Sequence, residues 1–402
     1  MKKIASLFFS FIFALMSFTT VLAANDSLSV SAAKVYETPY YYNQMTEEAQ
    51  EVYDTLKAAV LNCKKSIKIK CEIDQDDFDK IAELLILHDP MTFNLKDIEA
   101  TSISRSSITF KLHYRYSKEN YDKMVASYKK SVDKVLAKLD DDMSTYVKIK
   151  TIHDAIANGA VYDKEYKLSD TIYGTLVKKK GKCDGYAKTF SYICGQAGIR
   201  TVTVIGKDIY TTDDSLHMWN KVYYNKKWYN VDVTWDDPVG NMKSNRLYDF
   251  FMVSDKNFGK THTEDNLSFK VPAATDSSKT YFKMYKKYAE DTASAKALLQ
   301  SELEKAAKSG KKYVIIQCAT DSAYKNMYNY ILDVDKTCSM LKKAGKKNKN
   351  LVTELYSYGN NEEYRTIKLY LFYKNTDIDE YYIDVSDVNK DMAKALDYYG
   401  ID

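Results

Sequence analysis

Residues 181–238 constrain the chain most. They run Gly181-Lys182-Cys183-Asp184-Gly185-Tyr186-Ala187, then His217-Met218-Trp219-Asn220, then Trp228-Tyr229-Asn230-Val231-Asp232-Val233-Thr234-Trp235-Asp236-Asp237-Pro238. A thiol is a nucleophile only as thiolate, so it needs a helix N-terminus or an imidazole beside it, and the imidazole needs an acid to fix its tautomer. Cysteine, histidine and aspartate stand here in that order. The apolar spacing of Ala187, Phe190, Ile193 and Cys194 predicts a helix that Gly198 ends, so Cys183 sits at a helix start after a glycine-bearing turn. That position aims backbone N–H groups at the sulfur and offers a donor to an oxyanion.

Three strands are predicted next, over 200–205, 218–224 and 227–234, with Asn225-Lys226 as a tight hairpin turn between the last two. Pairing in that hairpin brings His217 and Asp232 side by side. Read locally, Cys183 is either a nucleophile or a buried structural thiol like Cys194, and His217 and Asp232 are either a catalytic pair or surface and turn residues. Asp232 argues for pairing, because an unpartnered carboxylate among aromatic and β-branched neighbours is costly.

The order of these motifs resembles the transglutaminase-like superfamily, in its bacterial secreted, protease-like branch. The likeness spans roughly 145–260, with Tyr162-Asp163 upstream and 248–251 downstream. It implies an α+β fold with a papain-like core, in which the helix bearing the cysteine packs on an antiparallel sheet. It also implies a Cys-His-Asp triad, carried here by Cys183, His217 and Asp232. Met218 departs from the family, which usually has a small residue there, and would narrow the cleft. Tyr162, Tyr173 and Trp219 are candidates to line the pocket or assist the oxyanion. For the three tryptophans, packing in the core and hairpin is the plainer reading.

The rest of the chain frames this site. Met1-Lys2-Lys3, an apolar run over 4–18 and Val21-Leu22-Ala23-Ala24 read as a signal peptide over 1–24, too short to span a bilayer. Export follows, to the medium or the cell wall, with no membrane attachment after cleavage. An α+β module is expected over 40–142, the catalytic domain over 143–272 and a second α+β module over 285–402. The two modules share an outline. Lys64-Lys65-Ser66-Ile67-Lys68-Ile69-Lys70-Cys71 matches Lys311-Lys312-Tyr313-Val314-Ile315-Ile316-Gln317-Cys318, and residues 108–114 resemble 367–373. A single helix is expected over 322–341.

The formal charge of +4 with interleaved signs excludes the concentrated basic patch of a nucleic-acid binder. The lysine clusters at 178–180 and 342–349 read as solvated loops. Six cysteines are sparse for an exported protein of this size, so small buried hydrophobes are expected, although Cys63 with Cys71 and Cys318 with Cys338 are spaced to bridge. No Cys-x-x-Cys, His-Glu-x-x-His or calcium-loop pattern implies a metal, and no cofactor is called for. The 36 tyrosines suit sugar or peptide contacts outside the cell, or simply half-buried strand positions. The expected activity is thiol acyl transfer on extracellular protein or wall peptide. Hydrolysis is favoured over glutamine–lysine cross-linking, and a non-catalytic cell-surface binding scaffold is the alternative from another class.

Overall fold

In the computed structural model, residues 39–104, 106–209, 216–237, 247–265 and 267–374 are described. The expected signal peptide lies outside them. All fall within one compact unit, Val35–Asp402. No helix among the described residues is long and apolar enough to cross a membrane.

The N-terminal region opens with α1 (Pro39–Tyr42) and α2 (Glu47–Leu61). The Thr46 side chain accepts from the Ala49 N–H and so caps α2. There follow β1 (Ser66–Ile69), α3 (Gln75–Glu83), β2 (Leu95–Ser104), β3 (Ser107–Tyr114) and α4 (Lys118–Leu136). Helix α3 continues as one π-helical turn, Leu84–His88, and stops before Pro90. The three strands form an antiparallel sheet in the order β1-β3-β2.

The central region contains α5 (Thr145–Ala157), β4 (Val161–Tyr162), β5 (Lys180–Gly181), α6 (Cys183–Gln196), β6 (Thr201–Asp208), β7 (His217–Tyr224), β8 (Lys227–Val231), β9 (Phe251–Val253), α7 (Asp255–Phe258) and β10 (His262–Glu264). Strands β10-β6-β7-β8-β9 form one antiparallel sheet. Asn225 and Lys226 both have positive φ, 49° and 62°, as the tight turn between β7 and β8 requires. The sheet alternation divides most of its apolar side chains between two large clusters, while Ile205 and Met218 form a small third with Ala187 of α6. Val222, Tyr229 and Val231 pack with Ile149 and Ile152 of α5, Phe190 and Ile193 of α6 and Tyr128 of α4. Val202, Val204 and Trp219 pack with Leu56 of α2 and Phe110 of β3. The cysteine-bearing helix thus covers one face of the sheet, and the N-terminal region braces the other. Tyr41 donates to the Thr203 carbonyl (2.8 Å), and Arg115 grips Asp170 with two hydrogen bonds (2.9 and 2.6 Å).

The C-terminal region comprises α8 (Tyr281–Met284), β11 (Tyr288–Ala289), α9 (Thr292–Ser309), β12 (Tyr313–Cys318), α10 (Asp321–Leu332), α11 (Val334–Gly345), β13 (Leu351–Asn361) and β14 (Thr366–Tyr373). The single helix expected over 322–341 is two, because Asp333 leaves the helical region (φ −77°, ψ 104°) and caps α11 through the Lys336 N–H. The sheet order is β11-β12-β14-β13, so the β1-β3-β2 arrangement recurs in β12-β14-β13. The register recurs as well. Ser66 faces Lys111 and Ile69 faces Ile108; Tyr313 faces Tyr370 and Ile316 faces Ile367. Those are the pairs that the sequence alignment of the two regions matches. All six cysteines are free thiols.

Candidate active site

The start of α6 is held by close backbone approach. A Cβ on Gly185 would meet the Ser169 carbonyl oxygen at 2.1 Å and Thr175 Oγ1 at 2.6 Å, and one on Gly181 would meet the same hydroxyl at 2.6 Å. Only glycine lets the 168–175 segment lie this close, and the Lys182 N–H donates to the Ser169 carbonyl there (2.9 Å). Cys183 is therefore fixed as the first residue of a 14-residue helix whose N-cap, Lys182, supplies no side-chain acceptor. The first-turn N–H groups favour an anion at this end, and that of Gly185 already donates to the Asp184 carboxylate (3.1 Å). Cys183 is partly exposed, whereas Cys194, further along the same helix, is fully buried.

His217 opens β7, and Asp232 follows the last residue of β8. Because Asn220 pairs with Val231, Asp232 falls opposite Trp219, on the same face as His217. His217 Nε2 lies 2.6 Å from Asp232 Oδ2, and both residues are buried. The other carboxylate oxygen accepts from the Thr234 and Trp235 N–H groups (2.9 and 3.1 Å), so the aspartate has little freedom to rotate. Burial disfavours a charged imidazole, but Asp232 and then Cys183 outweigh it and raise the His217 pKa to about 10. Burial likewise opposes ionisation of Asp232, yet His217 and then His262 hold it well below the usual carboxylate range. Both shifts favour the charged forms, an imidazolium against a carboxylate.

The ring of Trp219 is 1% exposed and stacks near His217, with centroids 6.0 Å apart and planes 21° apart; its Nε1 donates to Asn230 Oδ1 (3.1 Å). It backs the imidazole and has no surface for lining an open pocket. Tyr162 is 40% exposed, and its backbone pairs with Gly181 two residues before the cysteine. That pairing and exposure put it at the mouth of the site, and burial, with Cys183 and Asp184 nearby, pushes its phenol up to about 12. Tyr173 packs instead against the core on the helix side, with Lys178 Nζ over its ring at 5.7 Å. Of the six candidates, the fold gathers Cys183, His217, Asp232, Tyr162 and the supporting Trp219, and leaves Tyr173 apart.

Two histidines absent from the sequence reading are also placed with carboxylates. His262, which opens β10, has Nε2 3.3 Å from Asp232 Oδ2, and its ring lies among Phe258, Trp235 and His217 at centroid distances of 4.1, 4.5 and 5.3 Å. His153 on α5 pairs with the fully buried Asp236 (3.1 Å), whose other oxygen accepts from the Phe250 N–H (3.0 Å). Asp237 accepts from the Tyr186 hydroxyl (2.7 Å), tying the turn after Asp232 back to α6. The sequence carries a signal for this in Trp235-Asp236-Asp237, where the acids anchor the turn. His262 has no such motif around it.

His217, Asp232 and His262 form the only cluster among the described residues whose ligand atoms, within 4.8 Å of one another, would suit a metal ion. Asp232 Oδ2 is already engaged by His217, so the group reads as an imidazole–carboxylate pair with a second imidazole beside it. A cleft of about 660 Å³ adjoins this side of the site, between the central sheet and the β13–β14 hairpin, lined by Trp235, Phe250, Thr261, Asn361, Thr366 and Lys368 among others.

Residues 129–233, which hold Cys183, His217 and Asp232, match the model of the transglutaminase-like superfamily. Kyphoscoliosis peptidase of Mus musculus is 32% identical over 109 residues, and that of Homo sapiens is 31% identical over 109 residues. Each alignment covers 24% of this chain and 16% of the relative, so the chain matches only that small share of these curated relatives. Among solved structures, a TGase aligns with a TM-score of 0.26 at 20% identity, covering 48% of this chain and 55% of that one. A candidate cysteine protease from Cytophaga hutchinsonii aligns with a TM-score of 0.25 at 13% identity, covering 45% of this chain and 79% of that one.

Proposed function

We propose that the transglutaminase-like domain of this chain, a member of a superfamily of thiol-dependent acyl-transfer enzymes, works as a secreted cysteine peptidase or amidase with Cys183, His217 and Asp232 as its triad. The observation that carries the reading is the buried His217 ring, 2.6 Å from the buried Asp232 carboxylate on the face shared with Trp219, together with Cys183 at the start of α6.

The Cys183 thiolate attacks the carbonyl carbon of an amide, and the oxyanion that forms faces the first-turn N–H groups of α6. Asp232 occupies Nε2 of His217, and Nδ1, with Asp208 Oδ2 4.0 Å away, is the nitrogen that serves the reaction. It gives its proton to the leaving amine as the C–N bond breaks and the thioester forms. Water then attacks the thioester and loses its proton to His217. The acid leaves, and the thiolate–imidazolium pair is restored. Tyr162 stands at the mouth to contact the chain of a peptide substrate, and the Trp235-lined cleft offers room for a neighbouring side chain.

The substrate class is extracellular protein or wall peptide, reached after removal of residues 1–24. The test incubates the secreted protein with a glutamine-containing peptide and a tagged amine in ¹⁸O-labelled water. Entry of ¹⁸O into the product acid, lost in Cys183→Ala, is the expected result. Amine incorporation without ¹⁸O would assign cross-linking instead. N-terminal sequencing of the exported protein reads the cleavage site.

A further inference from the structure

His262 is one of three buried side chains among the described residues with a polar atom lacking an aligned hydrogen-bond partner, here Nε2, yet that atom lies 3.3 Å from Asp232 Oδ2. Its other nitrogen, Nδ1, is 2.8 Å from Thr261 Oγ1, and this hydroxyl is 2.7 Å from the Tyr364 hydroxyl in the turn before β14. Thr261 Oγ1 also lies 3.4 Å from the Phe258 carbonyl, a longer contact than either of these, and along the row protons can run in two directions. If Nδ1 carried the hydrogen, the Nε2 lone pair would face the Asp232 anion across 3.3 Å, an uncompensated repulsion in a buried site. If Tyr364 donates to Thr261 and Thr261 donates to Nδ1, the hydrogen sits on Nε2 and faces the carboxylate. Electrostatics select the second order.

We infer that His262 is a positioning residue for the triad, set in its Nε2–H form by Thr261 and Tyr364, so that the C-terminal region takes part in holding Asp232 for His217. The inference rests on the acyl-transfer reading of Cys183, His217 and Asp232. The groups facing His262 agree with it. They are the Asp232 carboxylate, the His217 imidazolium, Asp208 across the β6–β10 register, and the Tyr364 phenol through Thr261. Burial, with His217 adding to it against the pull of Asp232, lowers the His262 pKa and leaves the ring neutral. A neutral ring turns its Nε2–H dipole toward Asp232, 3.3 Å away, without neutralising it.

The test measures the rate of Cys183 alkylation by iodoacetamide against pH in the full-length protein, with the modified site read by mass spectrometry. Cys63, the other partly exposed thiol, serves as internal reference. His262→Phe keeps the ring volume against Phe258 and Trp235 and removes both nitrogens. We expect alkylation of Cys183 at neutral pH to fall about tenfold, the worth of one hydrogen bond to a charged group, and the alkaline limb of the profile to move down. His262→Gln, which restores a donor, should recover most of the rate, and Tyr364→Phe should move the limb in the same direction by less. A wild-type profile in His262→Phe would overturn the inference and reduce the ring to core filling. Should that variant not fold, Thr261→Val keeps the shape and removes the hydroxyl that sets the tautomer, and an unchanged profile there overturns the inference equally. If wild-type Cys183 reacts no faster than Cys63, the acyl-transfer reading itself falls, and this result is distinct from a reactive cysteine that is indifferent to His262.

Discussion

Asp232→Asn removes one charge and leaves the shape of the site in place. The amide oxygen can still accept from the Thr234 and Trp235 N–H groups, so the turn should survive. The NH₂ group then points at His217 Nε2, which must become an acceptor, and the ring proton moves to Nδ1. In that state Nδ1 cannot take the proton of Cys183. The charge effect has the same sign. His217 is raised from 6.5 to about 10, which corresponds to a preference for the imidazolium of about 5 kcal/mol, most of it from Asp232 acting against burial. Without the carboxylate, burial is left to act, and the imidazolium should be lost below neutral pH. Alkylation of Cys183 and turnover of any amide substrate should both fall by about 10³ to 10⁴ at neutral pH. The fold should pay in stability over a defined window. A group raised in the folded state contributes fully below its unfolded pKa near 6.5 and loses that contribution as pH rises through about 10. Urea titrations of the two proteins should therefore differ most at acidic to neutral pH and converge at alkaline pH, provided Asp232 is ionised throughout. A variant that keeps its alkaline limb near 10, or loses less than about threefold in rate, would refute the assignment of Asp232 as the residue that charges His217.

Three further outcomes are expected. Gly185→Ala should lower the urea midpoint by the equivalent of about 2–3 kcal/mol and slow Cys183 alkylation, because its Cβ would lie 2.1 Å from the Ser169 oxygen and outweighs the better helix propensity of alanine. His153→Ala leaves Asp236 buried without its imidazole and should cost about 3–5 kcal/mol by chemical denaturation. Asp249, fully buried, accepts from the Thr366 hydroxyl (2.5 Å) and the Asn361 amide (3.0 Å); burial, helped by Asp236, raises its pKa from 3.8 to about 7. An acid raised in the folded state makes stability fall as pH rises, here by about 3 kcal/mol between pH 4 and pH 7. Asp249→Asn should flatten that slope in thermal melts, and an unchanged slope would contradict it.

The part of the site that the sequence discloses is the part built from local motifs. Cys183 is readable because a helix start is written in glycine spacing, and His217 with Asp232 because a two-residue turn at Asn225-Lys226 fixes the pairing between them. His262 is separated from Asp232 by β9 and α7 and opens a strand of three residues, too short to show a period of two. The same shortness hides β9. Strand β2 escapes for another reason: after Ile98 its side chains are almost all exposed, so no alternation marks it. Asp333 looks tolerable inside a helix, and only its backbone angles show that it ends α10 and begins α11. Tyr162 and Trp219 carry the same aromatic signal in the sequence. Burial alone separates the ring at the mouth from the ring behind the imidazole.

The repeated sheet register at the two ends of the chain amounts to a division of labour. Both units offer the central sheet the same helix-and-hairpin scaffold, yet Tyr364, in the turn between β13 and β14, extends from the second unit to the histidine beside the triad. The corresponding turn of the first unit, between β2 and β3, is a short link from Ser104 to Ser107. One copy is thus free to vary wherever it keeps its apolar face. The other is also tied, through Thr261, to the buried histidine beside Asp232, and an exchange of the two hairpins would preserve the architecture while removing that contact.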